Sequence, residues 1–286
     1  MKGIAPSTTA AAADVEADHR DIATNRVIIQ AVNVSKVYQS SDGEKITALT
    51  SLNLEVSENE FLVIVGPSGC GKSTLLKLIV GLLPVTDGTI YFHGQPVRGP
   101  RTDVGMVFQE PVLLPWRTVR QNVLFPIEIL RRKDRDYVEE SDRLLTLVGL
   151  SGFQDKMPYE LSGGMQQRAA ICRALIHDPT VLIMDEPFGA LDAMTRDEMG
   201  AELLRIWQHR RKTVIFVTHS IREAVWLADR VVVMTARPAK IADIIKIDFE
   251  RPRTDKMQFL PQFGRYVEEI GDIVAGRRAK GLLCQD

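Results

Sequence analysis

The chain has 286 residues, 45% of them hydrophobic, enough to bury a substantial core in one large or two smaller domains. A formal net charge of −1 argues against a nucleic-acid binder that works by broad phosphate neutralisation. The three cysteines, Cys70, Cys172 and Cys284, show neither a pairing pattern nor metal-ligand spacing, which fits a reducing cytosolic compartment.

Residues 1–26 are rich in Ala, Thr, Asp and Ser and contain no apolar stretch of signal-peptide length, so they read as a disordered tail. No segment approaches the roughly 18 apolar residues of a membrane span. Alternating apolar and polar residues over Val27 to Val37 and Ala48 to Val56 predict half-buried antiparallel strands, and Thr89 to Phe92 continues that sheet. Between them Phe61-Leu62-Val63-Ile64-Val65 is followed by Gly66-Pro67-Ser68-Gly69-Cys70-Gly71-Lys72-Ser73-Thr74 and then by Leu75-Leu76-Lys77-Leu78-Ile79. This is a strand, a phosphate-cradling loop and a helix. Glycines let the loop's N–H groups turn inward onto phosphate oxygens, and the helix adds the positive end of its dipole. Lys72 then reaches the β and γ phosphates, and Ser73 offers its hydroxyl to Mg²⁺.

Val104 to Phe108 reads as a further strand, ending at Gln109. In the next ten residues Pro111 and Pro115 fix the backbone, while Leu113, Leu114 and Trp116 offer either an apolar docking surface or, for Trp116, an intramolecular anchor. Helical spacing of Val138, Ser141, Leu145 and Val148, with Leu144 beside them, predicts a small helical insertion over about 110–165. Arg131-Arg132-Lys133 is followed at once by Asp134, Asp136, Glu139 and Glu140, the pattern of a solvated helix face. Leu161-Ser162-Gly163-Gly164-Met165-Gln166-Gln167-Arg168 opens another helix, and Val181 to Met184 is a buried strand that delivers Asp185 and Glu186 to a sheet rim. Ala190-Leu191-Asp192 reads as a turn with Asp192 as helix cap, and Met199, Leu203, Ile206 and Trp207 as a core-facing stripe. Val214 to Thr218 forms a strand ending at His219, after which Ser220 and Glu223 frame a capping box. Past Arg251-Pro252-Arg253, a short amphipathic segment carries Phe263, Tyr266, Val267, Ile270 and Ile273.

The phosphate loop, the Ser162 cluster and the Asp185-Glu186 strand stand in the order and spacing of the ATP-binding-cassette ATPases, which the chain resembles over about residues 27–248. The resemblance implies an α/β P-loop NTPase core with an antiparallel β subdomain and an α-helical subdomain insertion, leaving 249–286 as a C-terminal extension. It implies ATP and Mg²⁺ as ligands. Gly66 through Thr74 would cradle the phosphates and Tyr38 would stack on adenine. Ser73, Gln109 and Asp185 would attend the metal, and Glu186 would position the attacking water. His219 is similar to the switch histidine at the γ-phosphate, which places it with Glu186, Gln109 and Lys72 in the catalytic group. Ser162, Gly163, Gly164 and Asp192 would serve a nucleotide shared with a second ATPase subunit, in a homodimer.

The run Glu110 to Val119, with Thr235-Ala236-Arg237-Pro238-Ala239-Lys240-Ile241, is similar to the nitrate, sulfonate, taurine and bicarbonate group of bacterial importers. That likeness implies transmembrane permease subunits, a substrate-binding protein and a peripheral place on the cytoplasmic side of the inner membrane. A pyrimidine-precursor importer has similar motifs. A soluble cassette of repair or translation type is the rival; such relatives usually carry long coiled coils or two cassettes, and neither is present here.

Overall fold

The structure, a computed structural model, describes residues 26–39, 42–189, 191–210 and 212–277. The expected tail before Arg26, Ala190 and Cys284 lie outside the described residues. An antiparallel sheet holds β1 (Val27–Gln39), β2 (Lys45–Ser57), β4 (Asp87–Phe92) and β5 (Gln95–Pro96) in the order β2-β1-β4-β5. A second sheet holds β3 (Phe61–Val65), β6 (Val104–Val107), β7 (Val181–Asp185), β8 (Thr213–Val217), β9 (Arg230–Met234) and β10 (Ile241–Lys246) in the order β10-β9-β3-β8-β7-β6. Its neighbours are parallel except for β10, which runs antiparallel along β9.

Continuous apolar runs explain the second sheet, because a strand covered on both faces needs no polar side. β3 and β8 are buried at every position. Their alternate residues enter two different cores: Phe61, Val63, Val214 and Phe216 join the helical side, whereas Leu62, Ile64, Ile215 and Val217 join the side of the antiparallel sheet. β1 and β2 run further than alternation alone predicts, because hairpin pairing continues through Tyr38 with Ile46 and Gln39 with Lys45.

Seven helices accompany the sheets among the described residues: α1 (Lys72–Ile79), α2 (Val119–Leu130), α3 (Tyr137–Leu147), α4 (Gly163–Leu175), α5 (Ala193–Arg210), α6 (Ile221–Leu227) and α7 (Pro261–Val274). Helix α2 opens with a full capping box that the sequence reading missed: the Gln121 amide donates to Thr118 Oγ1 at 3.3 Å, and the Thr118 amide to Gln121 Oε1 at 3.0 Å. The box expected at Ser220 forms only by half. Ser220 Oγ accepts from the Glu223 amide at 3.3 Å, but the Glu223 carboxylate instead takes the Thr218 hydroxyl at 2.6 Å and lies 3.4 Å from Arg196.

The inward face of α3 also differs from expectation. Asp136 caps the helix, so the buried stripe runs from Tyr137 through Ser141, Leu144 and Leu145, while Val138 turns outward and is 51% exposed. Gly105 on β6 lets α4 approach closely, since a Cβ there would stand 2.4 Å from the Ala174 carbonyl oxygen. At the C-terminal side, Phe263 and Ile270 of α7 are fully buried in the helical-side core. Arg253 anchors the preceding chain on the Trp226 and Ala228 carbonyls, and burial lowers its pKa to about 10.

Candidate active site: a phosphate loop beside two carboxylates

Sheet order decides which distant residues meet. β3 lies between β9 and β8, and β7 follows β8, so the C-terminal ends of these parallel strands form one rim. The loop after β3 leads into α1, with Gly71 as its N-cap at φ 124°, a conformation L side chains rarely adopt. The first amides of α1 lack partners within the helix and are available to an anion. Lys72 is 5% exposed, and its Nζ donates to the Gly66 and Pro67 carbonyls at 3.0 and 3.1 Å. Thus the loop's own carbonyls hold its cation.

Ser73 Oγ donates to Asp185 Oδ1 at 3.0 Å, tying the loop to the end of β7. Burial pushes the Asp185 carboxyl up from its ordinary range, a tendency opposed by the Ser73 hydrogen bond and reinforced by the charge of Glu186. Glu186 has φ 46° and donates its amide to the Val217 carbonyl at 2.9 Å. A left-handed non-glycine residue is uncommon and is held only by its surroundings. Its Oε1 lies 3.9 Å from Lys72 Nζ, and its Oε2 lies 3.0 Å from His219 Nδ1. Lys72, Ser73, Asp185, Glu186 and His219 therefore converge, as the sequence reading expects.

Above the loop lies a cleft of about 210 Å³, lined by Tyr38, Ala48, Gly69, Lys72, Thr74 and Glu186 among others. The Tyr38 hydroxyl is 3.3 Å from Thr74 Oγ1, and the residue is 37% exposed at the cleft edge. Cys70 turns its side chain into the antiparallel-side core and is 1% exposed, so only its backbone belongs to the loop surface. Gln109 is exposed after β6, beside the turn that follows Glu186; a Cβ on Gly189 would stand 3.3 Å from its Nε2.

Ser162, Gly163, Gly164 and Asp192 do not line this cleft. Ser162 is exposed and caps α4, accepting from the Met165 amide at 3.3 Å. Asp192 caps α5 through the Thr195 amide and hydroxyl, at 3.0 and 2.7 Å, and these bonds hold its carboxyl below the usual range.

A second, more apolar groove of about 480 Å³ opens between β6 and α2, lined by Met106, Phe108, Leu114, Phe125 and Ile129, with Arg173 and His177 also in its lining. Leu114 lines it as expected. Leu113 instead packs against the helical-side core, and Trp116, 70% exposed, lies outside the groove lining. The segment around Gln109 is gripped by α4: Gln167 donates to the Phe108 carbonyl at 3.2 Å, and Arg173 to those of Pro111 and Val112 at 2.8 and 2.7 Å.

The profile of the ABC transporter family matches residues 49–189. An uncharacterized ABC transporter ATP-binding protein of Methanocaldococcus jannaschii, MJ0412, is 49% identical over 257 residues, covering 90% of this chain and 95% of that one. The chain belongs to the ABC transporter family. Among other ABC transporter relatives, the taurine import ATP-binding protein TauB of Jannaschia sp. is 42% identical, covering 83% of this chain and 90% of its own. The nitrate import ATP-binding protein NrtD of Synechocystis sp. is also 42% identical, with 88% and 97% covered. The ABC transporter cassette MJ0796, solved as a dimer, superposes with a TM-score of 0.69 at 32% identity, covering 78% of this chain and all of that one. The fold is thus that of an ABC ATPase.

Two features of this ABC ATPase escaped the sequence reading. Arg237 joins the lining of the cleft above the phosphate loop, and Arg173 and Gln167 grip the Gln109 segment. All three side chains bond backbone carbonyls, which no residue pattern marks. The one available signal was position: Arg237 follows a strand parallel to β3.

Proposed function

We propose that this chain binds and hydrolyses ATP in the cleft above Lys72, and that it powers an importer of a small anion such as taurine or another sulfonate, nitrate or bicarbonate. The convergence of Lys72, Glu186 and His219 carries the reading of the chemistry. Lys72 neutralises phosphate charge once it leaves the Gly66 and Pro67 carbonyls. Glu186 takes up the proton of the attacking water, and His219 holds the Glu186 carboxylate in place. Tyr38, at the cleft edge, supplies a ring for the base.

Mg²⁺ fits the donor set. Ser73 and Asp185 offer two oxygens already 3.0 Å apart, and a hard cation of this kind takes one or two protein oxygens together with phosphate and water. A cation would also favour the ionised form of Asp185, which burial alone disfavours. Ser73 and Asp185 would hold the metal, with Gln109 nearby. When bound, it neutralises charge developing on the transferred phosphoryl group.

Ser162, at the start of α4, is exposed and outside the lining of the chain's own cleft, which supports a nucleotide shared between two subunits; MJ0796, solved as a dimer, supports the same arrangement. Among the described residues no helix is long and apolar enough to cross a membrane. Separate permease subunits would therefore dock in the groove beside Gln109, with a substrate-binding protein on the far side of an inner membrane. The taurine and nitrate relatives support an importer over a soluble repair or translation cassette. The test is purification from membranes in mild detergent, identification of retained chains, and ATPase assay with each candidate anion and with a pyrimidine precursor. Retention of permease chains and stimulation by a small anion is expected; purification without membrane chains would refute the importer reading.

A further inference from the structure

Arg237 stands in the turn between β9 and β10, and its exposed side chain is pinned rather than free. Its Nε and Nη2 both donate to the carbonyl of Gly69, at 3.1 and 2.5 Å. The turn that presents it is itself stitched down. Thr235 donates its amide to the Lys240 carbonyl at 2.9 Å, closing the turn. Ala239 exchanges bonds with β2, donating to the Ala48 carbonyl at 3.0 Å and accepting from the Thr50 amide at 3.1 Å. β2 in turn supplies Ile46 and Ala48 to the nucleotide cleft, which Arg237 also lines.

We propose that Arg237 is a positioning residue for nucleotide binding, acting through the Gly69 carbonyl to hold the phosphate loop in its receiving shape. The inference rests on the reading of this cleft as the nucleotide site. A peptide unit points its C=O and N–H in opposite directions. Arg237 holds the Gly69 oxygen and with it the orientation of the whole 69–70 peptide unit, whose Cys70 amide donates to the Pro67 carbonyl at 3.3 Å. Gly69 itself sits at φ 68°, and a glycine-rich loop has several other orientations open to it. Held this way, the Gly69 carbonyl dipole is capped by a guanidinium instead of being left bare toward an anionic ligand. The guanidinium adds fixed positive charge at the same edge.

The test compares wild type, Arg237→Ala, Arg237→Lys and Lys72→Ala for affinity toward a non-hydrolysable ATP analogue and ADP, for KM and kcat, and for melting temperature without nucleotide. Arg237→Ala should weaken both nucleotides by about tenfold, the scale of a lost charge-assisted hydrogen bond. KM should rise in step, kcat should stay within about twofold, and the nucleotide-free melting temperature should hold, because a positioned loop affects binding more than chemistry. Arg237→Lys, which keeps the charge and one donor, should recover most of the affinity. Unchanged affinity in Arg237→Ala would overturn the proposal, as would an affinity loss matched by a fall in the nucleotide-free melting temperature. Lys72→Ala separates the two levels: if it bound nucleotide like wild type, the reading of the cleft would fail rather than the role of Arg237.

Discussion

His219 Nδ1 and Glu186 Oε2 stand 3.0 Å apart although 33 residues separate them in the chain. The contact exists because β7 and β8 are neighbours in the sheet, with Asp185 paired in register to Val217. It makes the carboxylate a shared element, hydrogen-bonded on one oxygen and within 3.9 Å of Lys72 on the other.

With Glu186 as the proposed base, Glu186→Gln removes the acceptor but keeps the shape, so ATP should still bind while turnover falls by about 10²-fold or more. His219→Ala should lower turnover by a smaller factor because it only loosens the carboxylate. Single-turnover hydrolysis with parallel nucleotide titration separates the two effects. Near-normal hydrolysis by Glu186→Gln would remove this residue from the role of base.

If the nucleotide is shared as proposed, Glu186→Gln with ATP and Mg²⁺ should elute as a dimer in gel filtration, since slow hydrolysis preserves it. Adding Ser162→Arg to that background should return the protein to monomer. Ser162 is exposed and outside the lining of its own cleft, but it also caps α4, so the melting temperature of the double variant is measured alongside to separate a clash with the partner from a lost cap. A tight dimer in the double variant would show that the nucleotide is not shared through Ser162.

Ile129 lines the apolar groove and is 65% exposed, which makes Ile129→Asp a clean probe of docking. Folding and ATP affinity should be unchanged, whereas retention of membrane subunits in detergent should fall, because a buried unpaired carboxylate costs about 2 kcal/mol or more. Trp116→Asp, outside the groove lining, should have the weaker effect. The reverse ranking would move the docking surface to the Trp116 side.

Asn122 is fully buried and saturated: it accepts from the Leu114 amide at 2.7 Å and donates to the Leu114, Arg117 and Thr118 carbonyls at 3.1, 3.0 and 3.0 Å. Asn122→Ala leaves those backbone groups without it and should cost about 1–3 kcal/mol, read as a lower melting temperature. Unaltered thermal stability would mean that water replaces the side chain without loss.

Legibility followed the length scale of the interaction. The phosphate loop was readable because Gly66 to Thr74 is contiguous and its glycines and lysine have one common use. The strands ending at Asp185 and His219 were readable from their apolar runs, and parallel pairing did the rest. Val138 was misplaced because two adjacent apolar residues, Tyr137 and Val138, fit helical spacing equally well until Asp136 fixes where the helix starts. The Ser220 box was half wrong because Glu223 found a better partner in Thr218, a residue outside the four-residue pattern.

The 13 residues of α4 make a rod about 20 Å long. One tip is Ser162; along its flank Gln167 and Arg173 grip the backbone on either side of Gln109, and Arg173 also lines the apolar groove. What the helix holds at positions 108, 111 and 112 is main-chain oxygen, which every residue carries. The attachment is therefore written in Gln167 and Arg173 and not in the segment they hold, whose side chains can vary while the carbonyl acceptors stay in place.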